Sequence, residues 1–250
     1  MARPKRRRSP AGFNSRPAGP VKRCIATLDV GGKSFHPASR QSFEAAAARW
    51  GADLVVFTQP LANCHIWWQK TFAIDHLLQY DHALQLDADM LIAEDCPSPF
   101  DVCEPGRLGV CRDLQHPRQY RLARWLSNQT RRWASHLGLR QPGGRQCINA
   151  GFLLYGPREM LPWFRLWRAI GRTHRFPGWG LGDQSVLCIL CVNFQIHRLL
   201  ADKWNQTHAQ TPLRPDLPDI MSGTIYHFCG GRQQRPARIE STTWRVKQRT

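Results

Sequence analysis

Leu84-Gln85-Leu86-Asp87-Ala88-Asp89-Met90-Leu91-Ile92 is an apolar stretch that carries two carboxylates separated by one residue. Because side chains alternate across a β-strand, Asp87 and Asp89 are predicted to leave the strand end on the same side. Two like charges held so close repel unless a cation lies between them. Oxygen ligands of this kind suit Mg²⁺ or Mn²⁺. The alternative is a turn with two solvated aspartates, which the apolar neighbours on both sides disfavour.

Predicted strands and helices alternate in the segment before the aspartate pair. Residues 24–28 and 54–57 have the composition of strands, and residues 42–50 and 67–80 that of helices. This order predicts right-handed parallel crossovers in a Rossmann-like α/β domain, in which ligands gather at the carboxyl ends of the strands. No GxGxxG motif is present, so a dinucleotide cofactor is not supported.

The second half of the chain is predicted to extend the same sheet, without repeats and without a clear domain boundary. Strands are predicted at residues 107–111, 147–155, 194–199 and 224–228, and helices at residues 118–137, around 160–170 and at 183–192. The fold class is therefore α/β, a single domain with a mixed, mostly parallel central sheet flanked by helices.

The formal charge of +17 is concentrated at the two ends of the chain. Residues 1–23 contain eight Lys or Arg and no acid, and residues 232–250 contain six basic residues against Glu240. Residues 24–231 hold the other 21 basic and 17 acidic residues, a charge of only +4. Such basic ends bind nucleic acid or anionic lipid headgroups, or remain solvated disordered arms. The near-neutral body disfavours nucleic acid as the main partner.

Residues 1–23 lack the apolar segment of a signal peptide, and the longest apolar run, residues 186–192, is too short to span a bilayer. We expect a cytoplasmic protein, and peripheral contact with a membrane through its basic ends is left open. The nine cysteines lie mainly in apolar stretches, which predicts buried free thiols. Cys188-Ile189-Leu190-Cys191 is a CxxC motif without a second pair, so zinc or redox chemistry is disfavoured.

Three later motifs follow Asp87-Ala88-Asp89 in order: Cys147-Ile148-Asn149-Ala150-Gly151-Phe152, then Gly182-Asp183-Gln184-Ser185-Val186-Leu187, then Leu200-Ala201-Asp202-Lys203-Trp204-Asn205 joined to Ile225-Tyr226-His227-Phe228-Cys229-Gly230. Together the four motifs resemble those of a GT-A fold glycosyltransferase, most closely the retaining enzymes of glycosyltransferase family 8. The resemblance covers about residues 24–236. It implies one GT-A domain there, between a basic, disordered arm at residues 1–23 and a basic tail at residues 237–250.

The resemblance implies a metal site formed by Asp87, Asp89 and His227, with Mn²⁺ or Mg²⁺ as the ion. Release of a nucleoside diphosphate by itself favours a divalent ion that bridges the phosphates. A lone histidine among the apolar residues 225–228 is otherwise a core histidine. The glycines that follow it allow a close approach of the backbone to a phosphate, and this favours the ligand interpretation.

The phosphate-binding segment departs from the family pattern. The family usually continues with Lys-Pro-Trp after its last glycine, whereas this chain has Arg232-Gln233-Gln234-Arg235-Pro236. Gly230 and Arg232 are predicted to contact the donor phosphates, because an arginine holds a phosphate well. Whether Arg232 or Arg235 takes the place of the lysine is left open.

By the resemblance, Asn149, Asp183 and Gln184 form the catalytic and sugar-binding group, with Gln184 near the reacting face. Amide and acid groups suit this task because a site built to hydrogen-bond hydroxyl groups rejects analogues that lack them. Asp183 as a plain helix N-cap is the alternative. No covalent intermediate is assumed.

The resemblance also implies nucleotide contacts from Thr27 and Asp29, at the end of the first strand. Asp87 is expected to reach the ribose or the sugar of the donor in addition to the ion. Lys70 is expected to approach the phosphates or the sugar, and a solvated helix lysine is the alternative.

These features predict a metal-dependent hexosyltransferase that uses a nucleotide sugar, with a UDP-hexose as donor and retention of configuration implied by the resemblance. The acceptor is left open among a saccharide, a lipid-linked molecule and a protein. An inverting GT-A transferase and a sugar nucleotidyltransferase are the enzymatic alternatives. The alternative without catalysis is a basic protein that binds nucleic acid or anionic lipid and in which the aspartate pair is incidental.

Overall fold

The computed structural model describes residues 19–31, 35–113, 120–143, 146–173, 182–207 and 225–228. Over these residues the chain forms the strands β1 (Arg23–Leu28), β2 (Ala52–Phe57), β3 (His82–Leu86), β4 (Met90–Ile92), β5 (Leu108–Arg112), β6 (Ile148–Tyr155), β7 (His197–Leu199), β8 (Gln206–Thr207) and β9 (Ile225–His227). The helices are α1 (Pro37–Trp50), α2 (Ile66–Ala73), α3 (Tyr120–Leu137), α4 (Pro157–Thr173) and α5 (Gly182–Phe194).

Six strands form the central sheet in the order β2-β1-β3-β6-β5-β7. The pairs β1–β2, β1–β3 and β5–β7 are parallel, and β6 is antiparallel to both of its neighbours. The predicted mixed, mostly parallel sheet flanked by helices is confirmed. Because β6 runs against β3 and β5, its amino end lies beside their carboxyl ends. This edge of the sheet is called the site edge below.

The last strand does not extend the central sheet, contrary to the prediction. Strands β4, β9 and β8 form a second, three-stranded sheet in that order. β9 is antiparallel to β4 and parallel to β8. The apolar stretch that carries the aspartates is therefore divided between two sheets, with β3 in the central sheet and β4 in the small one.

The core has two hydrophobic clusters, one on each face of the central sheet. Successive residues of one strand belong to different clusters, as Cys24 and Ile25 of β1 and Leu153 and Leu154 of β6 do. This is the period-two alternation of a strand that is covered on both faces. The first cluster contains the apolar sides of α4 and α5, and the second contains those of α1 and the small sheet. The domain is a three-layered α/β structure.

Two predicted elements differ in length from the observed ones. The helix predicted at residues 67–80 ends as an α-helix at Ala73 and continues as a 3-10 turn, Ile74–His76. The strand predicted at residues 194–199 begins only at His197, because α5 extends to Phe194 and Gln195 has a positive φ of 53°. Alternating apolar residues at a helix end cannot be distinguished from a short strand by their period alone.

Helix α1 shows how local sequence sets the limits of an element. The side chain of His36 accepts a hydrogen bond from the backbone of Ala38, and a proline occupies the first turn. Gly51 ends the helix in the left-handed conformation, at a φ of 60°.

The described cysteines are all free, and all but Cys64 are buried, as expected for thiols in a core. Cys188 and Cys191 lie on the buried helix α5. No helix in the described part of the chain is both long and apolar enough to cross a membrane.

Candidate active site

Asp87 and Asp89 lie in a tight turn between β3 and β4. Asp87 directly follows β3, Asp89 directly precedes β4, and the backbone N–H of Met90 donates to the carbonyl of Asp87 at 3.2 Å. Met90 is paired with His227 in the small sheet, and the N–H of Phe228 donates to the carbonyl of Asp89 at 3.0 Å. The pairing of β4 with β9 therefore places a histidine from the end of the described chain beside the two carboxylates.

The three side chains converge on one point. Nε2 of His227 lies 3.3 Å from Oδ1 of Asp89 and 3.7 Å from Oδ2 of Asp87. One ligand atom from each residue lies within 4.8 Å of the other two, a spacing that fits around one ion with bonds of about 2.1 Å. The exposed fraction of the side chain falls from 36% for Asp87 to 11% for Asp89 and 4% for His227. The group is thus buried on one side and open at Asp87, and two carboxylates with an imidazole suit Mn²⁺.

Gly151 leaves room for the side chains of His227, Asp87 and Asn149. A Cβ atom at this position would lie 2.5 Å from Cε1 of His227 and 2.8 Å from both Oδ2 of Asp87 and Oδ1 of Asn149. The carbonyl of Gly151 accepts from the N–H of Asp87 at 2.9 Å, so β6 cannot move away from the turn. Only glycine fits between these side chains and the strand behind them. Asp87, Asp89 and His227, as candidate ligands, are called the metal-ligand group below.

Lys70 reaches this edge from α2 and is buried. Its Nζ donates to Oδ1 of Asp87 at 3.1 Å and to the carbonyl of Ala150 at 3.2 Å, and it lies 3.7 Å from Oδ2 of Asp183. Burial alone would lower the pKa of Lys70, but the carboxylates of Asp87 and Asp183 outweigh it and raise the pKa. The solvated-lysine alternative is wrong, because Lys70 is a buried cation at the site edge.

A layer of buried carboxamide groups surrounds one carboxylate beside the metal-ligand group. Asn149 Nδ2 donates to Oδ1 of Asp113 at 2.8 Å, and Gln184 Nε2 donates to Oδ2 of Asp113 at 2.9 Å. Asn205 Nδ2 donates to Oδ1 of Asn149 at 3.0 Å. Burial raises the pKa of Asp113, while the two amide donors and His227 lower it. These four residues are linked into one network.

An irregularity in strand pairing aims Asn149 into this network. Val110 pairs with Leu153 but Cys111 pairs with Asn149, so the register between β5 and β6 shifts between Val110 and Cys111. A bulge of this kind bends the strand and redirects side chains, and bulges are common beside active sites. The N–H of Gly151 donates to Oδ1 of Asn149 at 2.7 Å within the bulge.

Asp183 lies in the first turn of α5, between the metal-ligand group and the carboxamide layer. Its Oδ2 faces Lys70, whereas Oδ1 is buried and has no hydrogen-bond partner among the described residues. Burial raises the pKa of Asp183, and the Lys70 amine opposes the shift. A buried carboxylate oxygen without a donor is unfavourable, so Oδ1 of Asp183 is a candidate acceptor for a hydroxyl group.

Thr27 and Asp29 lie at the carboxyl end of β1, the neighbour of β3. Thr27 is paired with Leu86, one residue before Asp87, and its buried Oγ1 has no partner within the described ranges. Asp29 Oδ1 accepts from the N–H of Phe35 at 3.1 Å. The predicted nucleotide contacts are therefore on the site edge, next to the metal-ligand group.

The structure brings together the predicted site residues that it describes: Thr27, Asp29, Lys70, Asp87, Asp89, Asn149, Asp183, Gln184 and His227. Gly230, Arg232 and Arg235 lie outside the described residues. Asp113 was not predicted from the sequence, and Asn205 was predicted only as part of a motif, without a role. An acid two residues after the end of the strand predicted at residues 107–111 was the available signal for Asp113.

Solved structures share this fold, although no protein-family model and no curated protein sequence matches the chain. A glycosyltransferase involved in the glycosylation of the major capsid of PBCV-1 has a TM-score of 0.57 at 12% identity, covering 87% of this chain and 99% of its own. The apo structure of the bifunctional WbbM has a TM-score of 0.56 at 13% identity, covering 96% of this chain and 53% of its own. The glycosyltransferase GlyE from Streptococcus pneumoniae TIGR4 has a TM-score of 0.52 at 17% identity, covering 90% of this chain and 60% of its own.

At such low identities the similarity defines the fold, which is that of GT-A-type glycosyltransferases. The chain spans nearly the full length of the PBCV-1 enzyme but only about half of WbbM.

Proposed function

We propose that the protein is a metal-dependent glycosyltransferase that moves a hexose from a UDP-hexose to an acceptor with retention of configuration. The convergence of Asp87, Asp89 and His227 at the site edge carries the proposal. A GT-A-type fold and a buried layer of polar groups beside the three ligands support it.

Asp87, Asp89 and His227 are the residues that would hold the ion. A bound Mn²⁺ or Mg²⁺ supplies charge neutralisation for the departing diphosphate. The partly exposed Asp87 carboxylate faces the donor, while the less exposed Asp89 and His227 fix the position of the ion. Lys70 holds Asp87 in place and adds positive charge where the phosphates arrive.

The donor sugar fits between Asp183 and the carboxamide layer. Asp183 offers a buried oxygen that no described residue satisfies, so a sugar hydroxyl donating to it gains a strong bond in a site with little water. Gln184 and Asn149 are held by the Asp113 carboxylate and are oriented before the sugar binds. Such preorganisation favours the reacting arrangement over a merely bound one. The nucleotide extends toward Thr27 and Asp29 at the end of β1.

The arrangement of carboxylates favours retention over inversion. An inverting enzyme needs a carboxylate that accepts the proton of the acceptor. Asp87 and Asp183 lie against Lys70, Asp89 lies against His227, and both oxygens of Asp113 accept amide hydrogens. Of these four carboxylates, two therefore lie against the Lys70 amine, one lies against an imidazole and one accepts hydrogens from two amides.

The test is a panel of UDP-hexoses incubated with the full chain, with and without Mn²⁺, with release of UDP as readout. We expect release that needs the ion and disappears in Asp89→Ala, while the exposed-acid control Glu94→Ala keeps it. Undiminished release in a folded Asp89→Ala variant contradicts the metal assignment. Conversion of UDP-hexose and added pyrophosphate to UTP and hexose 1-phosphate identifies a nucleotidyltransferase, and NMR of the product anomer separates retention from inversion.

The alternative of a nucleic-acid or anionic-lipid binding protein makes opposite predictions. It requires binding that weakens steeply with salt and is lost when residues 1–23 are removed. It also predicts no thermal stabilisation by UDP with Mn²⁺, whereas a ligand at a hundred times its Kd stabilises the glycosyltransferase by about 2.7 kcal/mol.

A further inference from the structure

The strand that ends at the aspartates also carries a buried glutamine. Gln85 is only 4% exposed, and it lies two residues before Asp87, so both side chains leave the chain on the same face. Both of them bond to one residue of α2. Gln85 Nε2 donates to the backbone carbonyl of Lys70 at 3.1 Å, and Oδ1 of Asp87 accepts from Lys70 Nζ at 3.1 Å. The two residues thus hold Lys70 at its backbone and at its amine.

The carbonyl that Gln85 binds lies in the last turn of α2, just before the chain continues as the 3-10 turn Ile74–His76. A carbonyl oxygen has two lone pairs, so the amide of Gln85 adds a side-chain hydrogen bond at this helix end. Since this donor is rooted in β3, the bond also fixes the end of α2 relative to the strand that leads to Asp87.

Tyr155 of β6 determines which way the Gln85 amide points. Its hydroxyl donates to Oε1 of Gln85 at 2.7 Å, and its ring is almost fully buried. A carbonyl only accepts, so the nitrogen of the amide has to face Lys70 and the oxygen has to face Tyr155. Both polar atoms of the Gln85 side chain are therefore hydrogen-bonded, and only one orientation of the amide allows this.

We propose that Gln85, oriented by Tyr155, is a positioning residue that sets where the Lys70 amine meets Asp87 at the donor site. The inference rests on the proposed function, since it concerns the group that holds Asp87 for the ion and the phosphates. Lys70 Nζ is within bonding distance of both Asp87 and the carbonyl of Ala150, so a shift of its backbone moves the amine away from one of them. A displacement of about 1 Å in a reacting arrangement can reduce rate by as much as a hundredfold.

Two variants and one matched control test the inference. Gln85→Met removes both bonds with little change of volume, and Tyr155→Phe removes only the hydroxyl that orients the amide. Tyr80→Phe is the control. Tyr80 precedes β3, away from the site edge, and its hydroxyl likewise donates a hydrogen bond to a side chain, Asp53 Oδ2 at 2.9 Å. We expect Gln85→Met and Tyr155→Phe to lower kcat/KM for UDP release about tenfold. Tyr80→Phe should lose thermal stability but keep kcat/KM within about twofold.

A double-mutant cycle separates positioning from general destabilisation. In a Lys70→Met background the amine is absent, so adding Gln85→Met should lower kcat/KM no further, while the losses of unrelated mutations multiply. Losses that multiply in the cycle would overturn the positioning role. Equal kcat/KM values for Gln85→Met and Tyr80→Phe in an active protein would also overturn it. Either result leaves the proposed function intact. If Gln85→Met does not fold, the same cycle with Tyr155→Phe decides. A wild-type protein without Mn²⁺-dependent UDP binding and release overturns both proposals.

Discussion

Nε2 of His227 lies 3.3 Å from Oδ1 of Asp89, although His227 comes 138 residues later in the sequence. The backbone pairing of β9 with β4 brings them together, because Met90 is opposite His227. The metal-ligand group is thus completed by strand pairing in the small sheet. The turn that carries the aspartates supplies only two of its three members.

Replacing His227 by alanine should weaken Mn²⁺ binding. The imidazole is the least exposed of the three ligands and has no substitute among the described neighbours, so we expect the Kd to rise at least tenfold, a change of about 1.4 kcal/mol. Titration of the full chain with Mn²⁺, followed by electron paramagnetic resonance or calorimetry, measures this. Glu94→Ala, at an exposed acid close to the site in sequence, should leave the Kd unchanged. Equal Mn²⁺ affinities for His227→Ala and wild type would exclude the histidine as a ligand.

Gly151→Ala should impair the same site by crowding. A Cβ atom would meet His227 and Asp87 at less than 3.0 Å, and overpacking of this kind typically costs about 1–3 kcal/mol. We expect a lower Tm and a loss of Mn²⁺ affinity. The control is Gly106→Ala, because no atom lies within 4 Å of a Cβ atom there. If Gly151→Ala binds Mn²⁺ as wild type does, the described packing behind the ligands is incorrect.

Asp113→Asn should reduce turnover more than nucleotide binding. An asparagine presents one NH₂ group to a site where Asn149 and Gln184 both donate, so one of the two amides loses its acceptor and its fixed orientation. We expect UDP release to fall about tenfold, while the Kd of UDP itself stays within about twofold, because the proposed function puts Asp113 on the side of the donor sugar. Asp53→Asn, at a carboxylate that accepts from Tyr80, is the matched control. A parallel loss of UDP affinity would show that the network supports the whole site and not the sugar.

Stability should fall below neutral pH through His82. Burial and then the Arg23 guanidinium lower the pKa of this histidine, while Glu159 and Asp101 act in the opposite direction. Neither ring nitrogen has a hydrogen-bond partner within the part of the chain that is described. The unfolded chain therefore takes up the proton first. The contribution of His82 is complete above the unfolded pKa of about 6.5 and is lost as the pH falls below it.

The measurement is the Tm of wild type and His82→Phe at pH 7.5 and pH 5.5. Phenylalanine keeps the stacking of the ring on Phe100 but cannot bind a proton. We expect the acid-induced drop in Tm to be smaller in the variant by about 1–3 °C. Identical drops would mean that His82 titrates alike in the folded and unfolded states.

The alternation of strands and helices in the first ninety residues sufficed to predict the first half of the central sheet. Local signals there are strong, as in the Ala-rich α1, which ends at Gly51. The position of β9 could not be predicted, because a three-residue apolar strand has no period that assigns it to one sheet or another. His227 was nevertheless expected beside the aspartates through the order of motifs and not through any periodicity.

Asp113 escaped prediction for a different reason. Its partners Asn149 and Gln184 come from β6 and α5, and contact with them depends on the register shift between β5 and β6. A register shift is a property of two paired strands and leaves no mark in either sequence alone. Gln85 was visible only as a polar residue in an apolar strand, and its role depends on which helix covers that strand.

The irregular pairing of β5 with β6 also bears on how such a site can diversify. The N–H of Asp113 donates to the carbonyl of Cys147 at 3.0 Å, and Arg112 is paired with Ile148. The segment between β5 and β6 therefore begins and ends at one backbone-paired base on the site edge. Helix α3 lies between these two anchors in sequence and contacts α5, where Thr130 Oγ1 donates to Ser185 Oγ at 3.3 Å. Changes of length outside α3 in this segment leave the contact of Asp113 with Asn149 in place, because both residues belong to the fixed base. The segment can therefore vary during evolution while the Asp113 network is inherited unchanged.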